Sequence, residues 1–267
     1  LRLDAMGAVF LLTVGLVYAI AGIFSVGYLD GQRADVGFGA YSRRYYLLFH
    51  LFGSTMLLVP LLDNLAVLWI AIELTTIVSA LLVALEDTDL ALEAAWKYAL
   101  IASSGLALAL FGVVVLYAAG AVALGPTFEP DWSALMAAAP RLPAGLVVLS
   151  FLFATAGFGT KAGLAPMHTW LPDAHSEAPT PISALLSGAL LADAMYAIFR
   201  FATIAERAAG PATPRRVFVV FGVLSLLLAA FFVLRQTNYK RLLAYSSIEH
   251  MGILALAAFF GTPLALY

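Results

Sequence analysis

The sequence contains no cysteine in its 267 residues. This absence excludes iron–sulfur clusters, c-type haem attachment and disulfides held by this chain. If the protein works in a redox system, its electrons must therefore travel through other subunits. Among the four histidines, only His168 and His175 stand close together, on either side of Pro172. Because this spacing is a weak zinc pattern, we predict neither a metal site nor a cofactor on this chain.

Charged residues are also scarce. They make up 11% of the chain, against 63% hydrophobic residues, and the mean hydropathy is +0.97. A soluble domain averages roughly half apolar and a quarter charged residues, so this chain lacks the means to cover itself with a polar surface. A net charge of −2 without a basic run argues against a nucleic-acid partner. We therefore predict a multi-pass protein of the inner (cytoplasmic) cell membrane, solvated by the lipid bilayer.

Apolar runs recur along the whole chain. A spanning helix needs roughly 20 apolar residues, and a backbone in lipid must satisfy its own hydrogen bonds, which favours helices. We predict an all-α integral membrane protein with about eight transmembrane helices in a single domain, 1–267. The predicted spans are Ala5–Leu29, Tyr45–Leu62, Leu65–Leu85, Trp96–Ala123, Ala144–Thr160, Pro181–Thr203, Val217–Leu234 and Leu242–Phe260. Basic residues divide evenly between the two sides, so charge does not predict the orientation.

Residues 157–188 break this pattern, because they are too polar for an ordinary span and too apolar for an ordinary loop. We predict a discontinuous helix with Lys161 at the break. Its short second piece would be Met167–Leu171, ending at Pro172 and Asp173. Broken helices with polar centres form ion sites in transporters. The alternative is an interfacial loop, with Lys161 extending to the lipid headgroups.

Several ionisable residues fall inside predicted spans. Each charged residue there costs roughly 2.5–3.5 kcal/mol to insert, so such residues normally pair or serve a function. This deep set comprises Glu73, Lys161, Asp193, Glu249 and His250. Thr76 lies one turn after Glu73 on the same face. A carboxylate near a buried lysine controls whether the lysine keeps its proton, so the set predicts proton transfer. The alternatives are that Glu73 is structural and that Arg200, seven residues after Asp193, draws that carboxylate toward the interface.

Other polar and aromatic residues stand near the ends of the spans. Lys97 begins the fourth span, where a lysine side chain normally extends to the interface. Four neighbouring aromatic residues have the pattern of interface anchors. These are Trp96, Tyr98, Tyr239 and Tyr245.

Two long motifs now identify a family. GTKAGLAPMHTWLPDAHSEAPTPISALLSG and KRLLAYSSIEHMGIL resemble the antiporter-like membrane subunits of respiratory complex I, cation/proton antiporters and group 4 membrane-bound hydrogenases. WIAIELTT and LEAAWKYALI are similar to the F-type membrane subunit of hydrogenase-4. The resemblance implies about fourteen helices with two inverted five-helix repeats. This chain would supply one complete repeat (43–203) and the start of the second, without the first two and last four helices. The loop 30–44 would be cytoplasmic.

The resemblance also implies roles for particular residues. Glu73 and Lys161 would form the central pair, and Lys97, Asp193, Glu249 and His250 would complete a proton relay. The resemblance places structural positions around the broken helix at Gly159, Gly163, Pro166, His168, Pro172 and Asp173. Many relatives carry a basic residue in the following helix, where this chain has Ser187 and Ala192. Water, Asp193 or His250 would have to take its place.

The implied function is that of a proton-translocating membrane subunit of a multi-subunit redox complex. Its partners would be other antiporter-like membrane subunits and a peripheral redox arm, hydrogenase-like or complex-I-like. One alternative is a stand-alone or Mrp-like cation/proton antiporter subunit. Another is a passive membrane scaffold, and a quinone-reducing enzyme is a weaker one.

Overall fold

The computed structural model describes residues 1–31 and 37–260 and is built of helices. Parts of the predicted loop 30–44 and everything after Phe260 lie outside the described residues. The helices are α1 Ala5–Asp30, α2 Phe38–Leu58, α3 Leu65–Val83, α4 Asp89–Leu124, α5 Trp132–Ala138, α6 Ala144–Lys161, α7 Leu171–Glu177, α8 Thr180–Leu185, α9 Leu191–Ala209, α10 Ala212–Val233 and α11 Tyr239–Phe260. A π-helical turn, Leu186–Leu190, joins α8 to α9.

Helix starts follow capping residues in the sequence. Asp4 accepts a hydrogen bond from the Gly7 amide at the start of α1. Asn64 caps α3 and Thr88 caps α4 in the same way. These side chains satisfy amides that have no partner inside the helix.

Seven helices in the described part of the chain are long and apolar enough to cross a membrane. The continuous stretch Thr180–Ala209 counts as one of them. The remaining predicted span, Tyr45–Leu62, corresponds to α2, which has the length but is less apolar because it contains Arg43, Arg44 and His50. The described residues therefore form a multi-pass, all-α membrane protein, as predicted.

The helices are arranged around Thr180–Ala209. In the apolar 18-residue stretch of this helix 78% of the residues are buried, compared with 17% in α1 and 22% in α10. Large exposed apolar side chains, such as Leu12, Ile23 and Leu227, lie on the outer helices. The central helix and its neighbours therefore hold the buried sites of the described chain.

Small residues bring α4 and α6 into close contact. A Cβ atom on Gly157 would lie 2.3 Å from the Ala109 amide nitrogen, and one on Gly112 would lie 2.8 Å from the Ala154 nitrogen. Contacts this close between backbones are typical of membrane helices that pack through small residues. This packing fixes the distance between side chains carried by α4 and by α6.

Candidate functional site

The helix break predicted around Lys161 is present. Helix α6 ends at Lys161, and Gly163 follows with φ +71°, a left-handed conformation that favours glycine. A Cβ atom there would lie 2.4 Å from Leu171 Cδ1. The Trp170 indole donates to the Thr160 carbonyl oxygen at 2.8 Å, and the Ala165 amide donates to Ser225 Oγ at 3.0 Å. The interrupted backbone is thus satisfied by protein groups, as membrane depth requires.

The second piece of the broken helix lies later than predicted. The predicted piece Met167–Leu171 is not helical up to Trp170, and the short helix is α7, Leu171–Glu177. Pro172 lies in its first turn and does not end it. A proline has no amide hydrogen, and the first turn of a helix does not need one, so the helix starts at this proline and does not end there.

Lys161 is completely buried at the end of α6. Its Nζ donates to Thr76 Oγ1 on α3 at 2.8 Å and to Tyr98 Oη on α4 at 2.5 Å. Nζ also lies 4.9 Å from the centre of the Tyr98 ring. The alternative of a lysine extending to the headgroups is therefore wrong. An amine held this way is solvated by hydroxyl groups in place of water.

Tyr98 was expected to be an interface anchor, and this expectation is wrong. The side chain is fully buried, 4.4 Å from the ring of Trp170 between ring centres, and its hydroxyl lies 2.8 Å from Ser79 Oγ. Helix α4 begins at Asp89, so Tyr98 lies more than two turns inside it. The sequence carries one signal for this site: Ser79 follows Thr76 by three residues and continues its polar face.

Glu73 is half-buried one turn before Thr76. One carboxylate oxygen accepts a hydrogen bond from Ser103 Oγ at 2.7 Å, and the other is buried without a partner among the described residues. In that same part of the chain, no ion pair within 4.0 Å joins Glu73 to Lys161. The charge of the Glu73 carboxylate acts on Lys161 electrostatically, without direct contact. The Thr76 hydroxyl, which accepts from the Lys161 amine, lies one helical turn after Glu73. The predicted pair is therefore close but not in direct contact.

Asp193 lies in the buried part of α9 and is 1% exposed. Neither carboxylate oxygen has a hydrogen-bond partner within the described ranges. Arg200 does not pair with it, contrary to one alternative considered above. The guanidinium donates instead to both oxygens of Asp4, at 2.5 and 2.6 Å, and to the Tyr196 hydroxyl at 2.7 Å. Lys161 is the charged residue that interacts electrostatically with Asp193 among the described residues.

The Asp4–Arg200 pair ties the start of α1 to the central helix. Hydrogen bonds from Arg200 hold the pKa of Asp4 below its usual value. A lowered pKa in the folded protein means that the pair stabilises the fold above the ordinary pKa of about 3.8, and that this contribution disappears as the pH falls through the lowered pKa. Asp4→Asn should therefore lower the melting temperature in detergent by a few degrees at pH 7 and by less in acid.

A double-variant cycle checks this prediction. Asp4→Asn in an Arg200→Gln background should cost little more than Arg200→Gln alone, because the shared interaction is already lost. Equal effects of Asp4→Asn in both backgrounds, or an effect that does not change with pH, would contradict it.

Glu249 and His250 are exposed on the described chain, so their expected burial is wrong. Helix α11 packs through the face that contains Ala244, Ile248 and Met251, which turns the two titratable residues outward. His250 Nδ1 lies 2.6 Å from the Ser246 carbonyl oxygen. Hydropathy alone does not predict how a helix is rotated about its axis, which is why the sequence placed them in the interior.

Lys97 lies at the surface, as its position at a span end suggested. It forms an ion pair with Glu93, and its Nζ is 4.0 Å from an oxygen of Asp173. The other Asp173 oxygen accepts a hydrogen bond from Arg241 at 2.8 Å. Lys240 Nζ donates to the Ala178 carbonyl oxygen at 2.8 Å. These contacts fasten α7 to α4 and α11.

The remaining predicted positions line the break itself. His168 is 8% exposed, Pro166 is exposed, and Gly159 is buried in the last turn of α6. Within residues 1–31 and 37–260, no group of three or more His, Asp or Glu side chains is placed to hold a metal ion.

These features define a class: a multi-pass helical membrane protein with a buried lysine where helix α6 is interrupted. The family described as "NADH:quinone oxidoreductase/Mrp antiporter, TM" matches residues 63–266, and the chain belongs to this family. The recognition made from the two motifs is therefore confirmed.

Relatives and solved structures agree with this assignment. The chain is 37% identical over 266 residues to a hydrogenase-4 component F homolog from Methylacidiphilum infernorum, covering 98% of this chain and 56% of that relative. It superposes with a TM-score of 0.79 and 26% identity on a chain of the membrane-bound sulfane sulfur reductase, an archaeal respiratory membrane complex. This match covers 93% of this chain and 49% of that chain. For a chain of respiratory complex I from Thermus thermophilus the TM-score is 0.76 at 28% identity, and the match covers 99% of this chain and 53% of that chain. The chain thus spans about half the length of the proteins it matches.

Proposed function

We propose that the chain belongs to a proton-translocating membrane subunit of a multi-subunit redox complex, hydrogenase-4-like or NADH:quinone oxidoreductase-like. The observation that carries this proposal is the complete burial of Lys161 at a helix break, with its amine on the hydroxyls of Thr76 and Tyr98. Buried lysines are rare in membranes and normally serve ion movement. Relatives from hydrogenase and respiratory complexes support the choice of a redox machine.

The central step is a proton held and released at Lys161 Nζ. Burial disfavours the charged amine, whereas a nearby carboxylate favours it. When Glu73 is ionised, Lys161 keeps its proton; when Glu73 is neutralised or its charge is moved away, Lys161 releases it. The hydroxyls of Tyr98 and Ser79, 2.8 Å apart, extend from the amine and can relay a proton by exchanging donor and acceptor roles.

The electron chemistry belongs to partners in this proposal. The chain has no cysteine with which to hold an iron–sulfur cluster, so we assign it no cofactor. A peripheral redox arm would supply the driving reaction, and further antiporter-like membrane subunits would lie beside this one. We also propose that the chain is part of a longer subunit of about fourteen helices, with 43–203 as one complete repeat, since it covers about half of its relatives.

Copurification and a Glu73 variant test this function together. A tag on the full-length subunit should retrieve a redox arm that oxidises hydrogen or NADH. In proteoliposomes of that complex, Glu73→Gln should lower the proton-to-electron ratio, because the neutral amide no longer favours the charged form of the Lys161 amine.

Glu206→Gln, a partly buried carboxylate near the end of α9, is the matched control and should pump normally. Retrieval of the subunit without a redox arm, but with sodium-driven proton exchange, would instead support the Mrp-like antiporter. Normal pumping by Glu73→Gln would support the passive scaffold.

A further inference from the structure

Helix α2 has an exposed face that is too polar for lipid. Arg43, His50 and Ser54 are exposed and lie one above the other, because residues three, four or seven positions apart share one side of a helix. Leu47 stands between them and is 70% exposed. Polar residues of α2 also keep it out of the set of seven helices that are apolar enough to cross a membrane. This face therefore differs from the apolar outer faces of α1 and α10.

The most costly member of this face is His50, because of its depth. It lies near the middle of the helical stretch 38–61, which α2 forms together with the 3₁₀ turn Val59–Leu61. Its neighbour Tyr18 lies near the middle of α1. A histidine side chain is too short to reach the headgroups from there, and ionisable residues in membrane helices almost always face protein or a water-filled cavity. His50 therefore requires a protein neighbour on its exposed side.

The imidazole of His50 is held in one orientation. The Tyr46 ring stacks on it with ring centres 6.2 Å apart, and the Tyr18 hydroxyl lies 2.6 Å from His50 Nδ1. Tyr18 itself is fixed, because its ring stacks on Phe49 at 5.1 Å and a Cβ atom on Gly53 would lie 2.2 Å from Tyr18 Cε2. A side chain that is fixed in this way presents its remaining ring nitrogen, Nε2, in a defined direction.

The contact with Tyr18 decides what Nε2 offers. A phenol hydroxyl is a stronger acid than the N–H of a neutral imidazole, so the Tyr18 hydroxyl donates to the lone pair of His50 Nδ1. The ring hydrogen is then on Nε2. Among the described residues, no acceptor lies within hydrogen-bond distance of Nε2. His50 thus presents an unused donor at mid-depth, and the group that covers it must supply an acceptor oxygen.

The charges of α2 indicate which oxygen fits. Helix α2 contains no aspartate or glutamate. Arg43 and Arg44 are exposed near its start, and neither forms an ion pair within the described ranges. A surface that carries basic groups alone attracts a partner with acidic groups. A carboxylate also accepts stronger hydrogen bonds than a neutral oxygen does, and hydrogen bonds between helices contribute to helix association in membranes.

We propose that the exposed face of α2, centred on His50, binds a transmembrane helix of a neighbouring membrane subunit that places an acidic side chain opposite His50. The carboxyl group of that helix accepts the hydrogen bond from His50 Nε2, while Leu47 packs against its apolar side chains. This inference rests on the proposed function, because it assumes the multi-subunit complex, and it names the face by which this subunit joins it.

Photo-crosslinking in native membranes tests the contact directly. Benzoylphenylalanine in place of Leu47, in the tagged full-length subunit, should form an adduct with another membrane subunit of the complex. The adduct peptide, identified by mass spectrometry, should come from a membrane span that contains Asp or Glu. The same probe in place of Leu227 is the control, since Leu227 is 64% exposed on α10, a helix with an apolar spanning stretch. It should not capture that peptide.

His50→Leu tests the energetics, because a lipid contact and a protein contact predict opposite results. Against lipid, leucine is the better residue and assembly should be unchanged or improved. Against an acidic helix, the subunit should insert in normal amounts, and the partner recovered with it in detergent should fall about tenfold, as for the loss of one hydrogen bond to a charged group. Ser54→Ala is the matched control on this face, because the Ser54 hydroxyl donates to the His50 carbonyl oxygen within α2.

The outcomes separate this inference from the proposed function. An adduct of the Leu47 probe with helices of the same subunit, or with lipid alone, refutes the contact, and so does unchanged partner recovery by His50→Leu. In those cases a pumping defect of Glu73→Gln would leave the proposed function standing. If no membrane subunit copurifies with the wild-type protein, the proposed function and this inference both fail.

Discussion

Lys161→Ala is expected to abolish proton uptake by the complex, leaving electron transfer in the partner arm at a reduced but measurable rate. Positioned acid–base groups contribute roughly 100- to 10,000-fold to the reactions they serve. Lys161 is fully buried, and the groups that contact its amine are the neutral hydroxyls of Thr76 and Tyr98. A neutral hydroxyl does not hold an extra proton as an amine does, so neither contact replaces the lysine as the proton carrier. The measurement is acidification or alkalinisation inside proteoliposomes, followed with a pH dye, together with the rate of donor oxidation.

The alanine variant also removes a large side chain from the core, so a second variant separates chemistry from folding. Lys161→Gln keeps most of the length and can still donate to Thr76 and Tyr98, but it does not bind a proton. It should reach the membrane in normal amounts and still fail to pump. Arg207→Gln, an exposed cation near the end of α9, is the control and should behave as the wild type. Undiminished uptake by Lys161→Gln would rule out the lysine as the proton carrier.

The sequence predicted the parts of this site that depend on composition and local backbone chemistry. Long apolar runs gave the spans, because lipid excludes polar backbone and side chains alike. Glycine and proline residues around Lys161 predicted the helix break, because glycine destabilises a helix and proline lacks the amide hydrogen that a continuous helix needs. Glu73 and Thr76 were identified together because helical spacing places them on one face.

The remaining features depend on tertiary packing, which hydropathy does not encode. Tyr98 follows Lys97, and both residue types are common at the interface, so only the fold shows that one points inward and the other outward. Glu249 and His250 lie inside an apolar run of the sequence, yet the packing of α11 leaves both side chains exposed. The π-helical turn before α9 has no pattern in the sequence that we could use.

The close contact between α4 and α6 leads to the second large effect, on folding. Gly157→Ala would place a methyl group 2.3 Å from the Ala109 nitrogen and 2.5 Å from the Gly105 carbonyl oxygen. Backbone atoms on a neighbouring helix cannot rotate away, so the helices must separate. Overpacking of this kind costs about 1–3 kcal/mol, and Gly157→Leu should cost more and reduce the amount of folded protein in the membrane. Melting in detergent and membrane-inserted yield measure both variants.

Gly145→Ala is the matched control on the same helix, because nothing lies within 4 Å of the added Cβ. It should be neutral or slightly stabilising, since alanine favours a helix over glycine by about 1 kcal/mol. Gly157→Ala should also slow pumping in the protein that does fold. Helix α4 carries Tyr98 and α6 carries Lys161, so separating the helices stretches their 2.5 Å hydrogen bond. A Gly157→Ala protein as stable and as active as Gly145→Ala would mean that this helix contact does not hold the lysine in place.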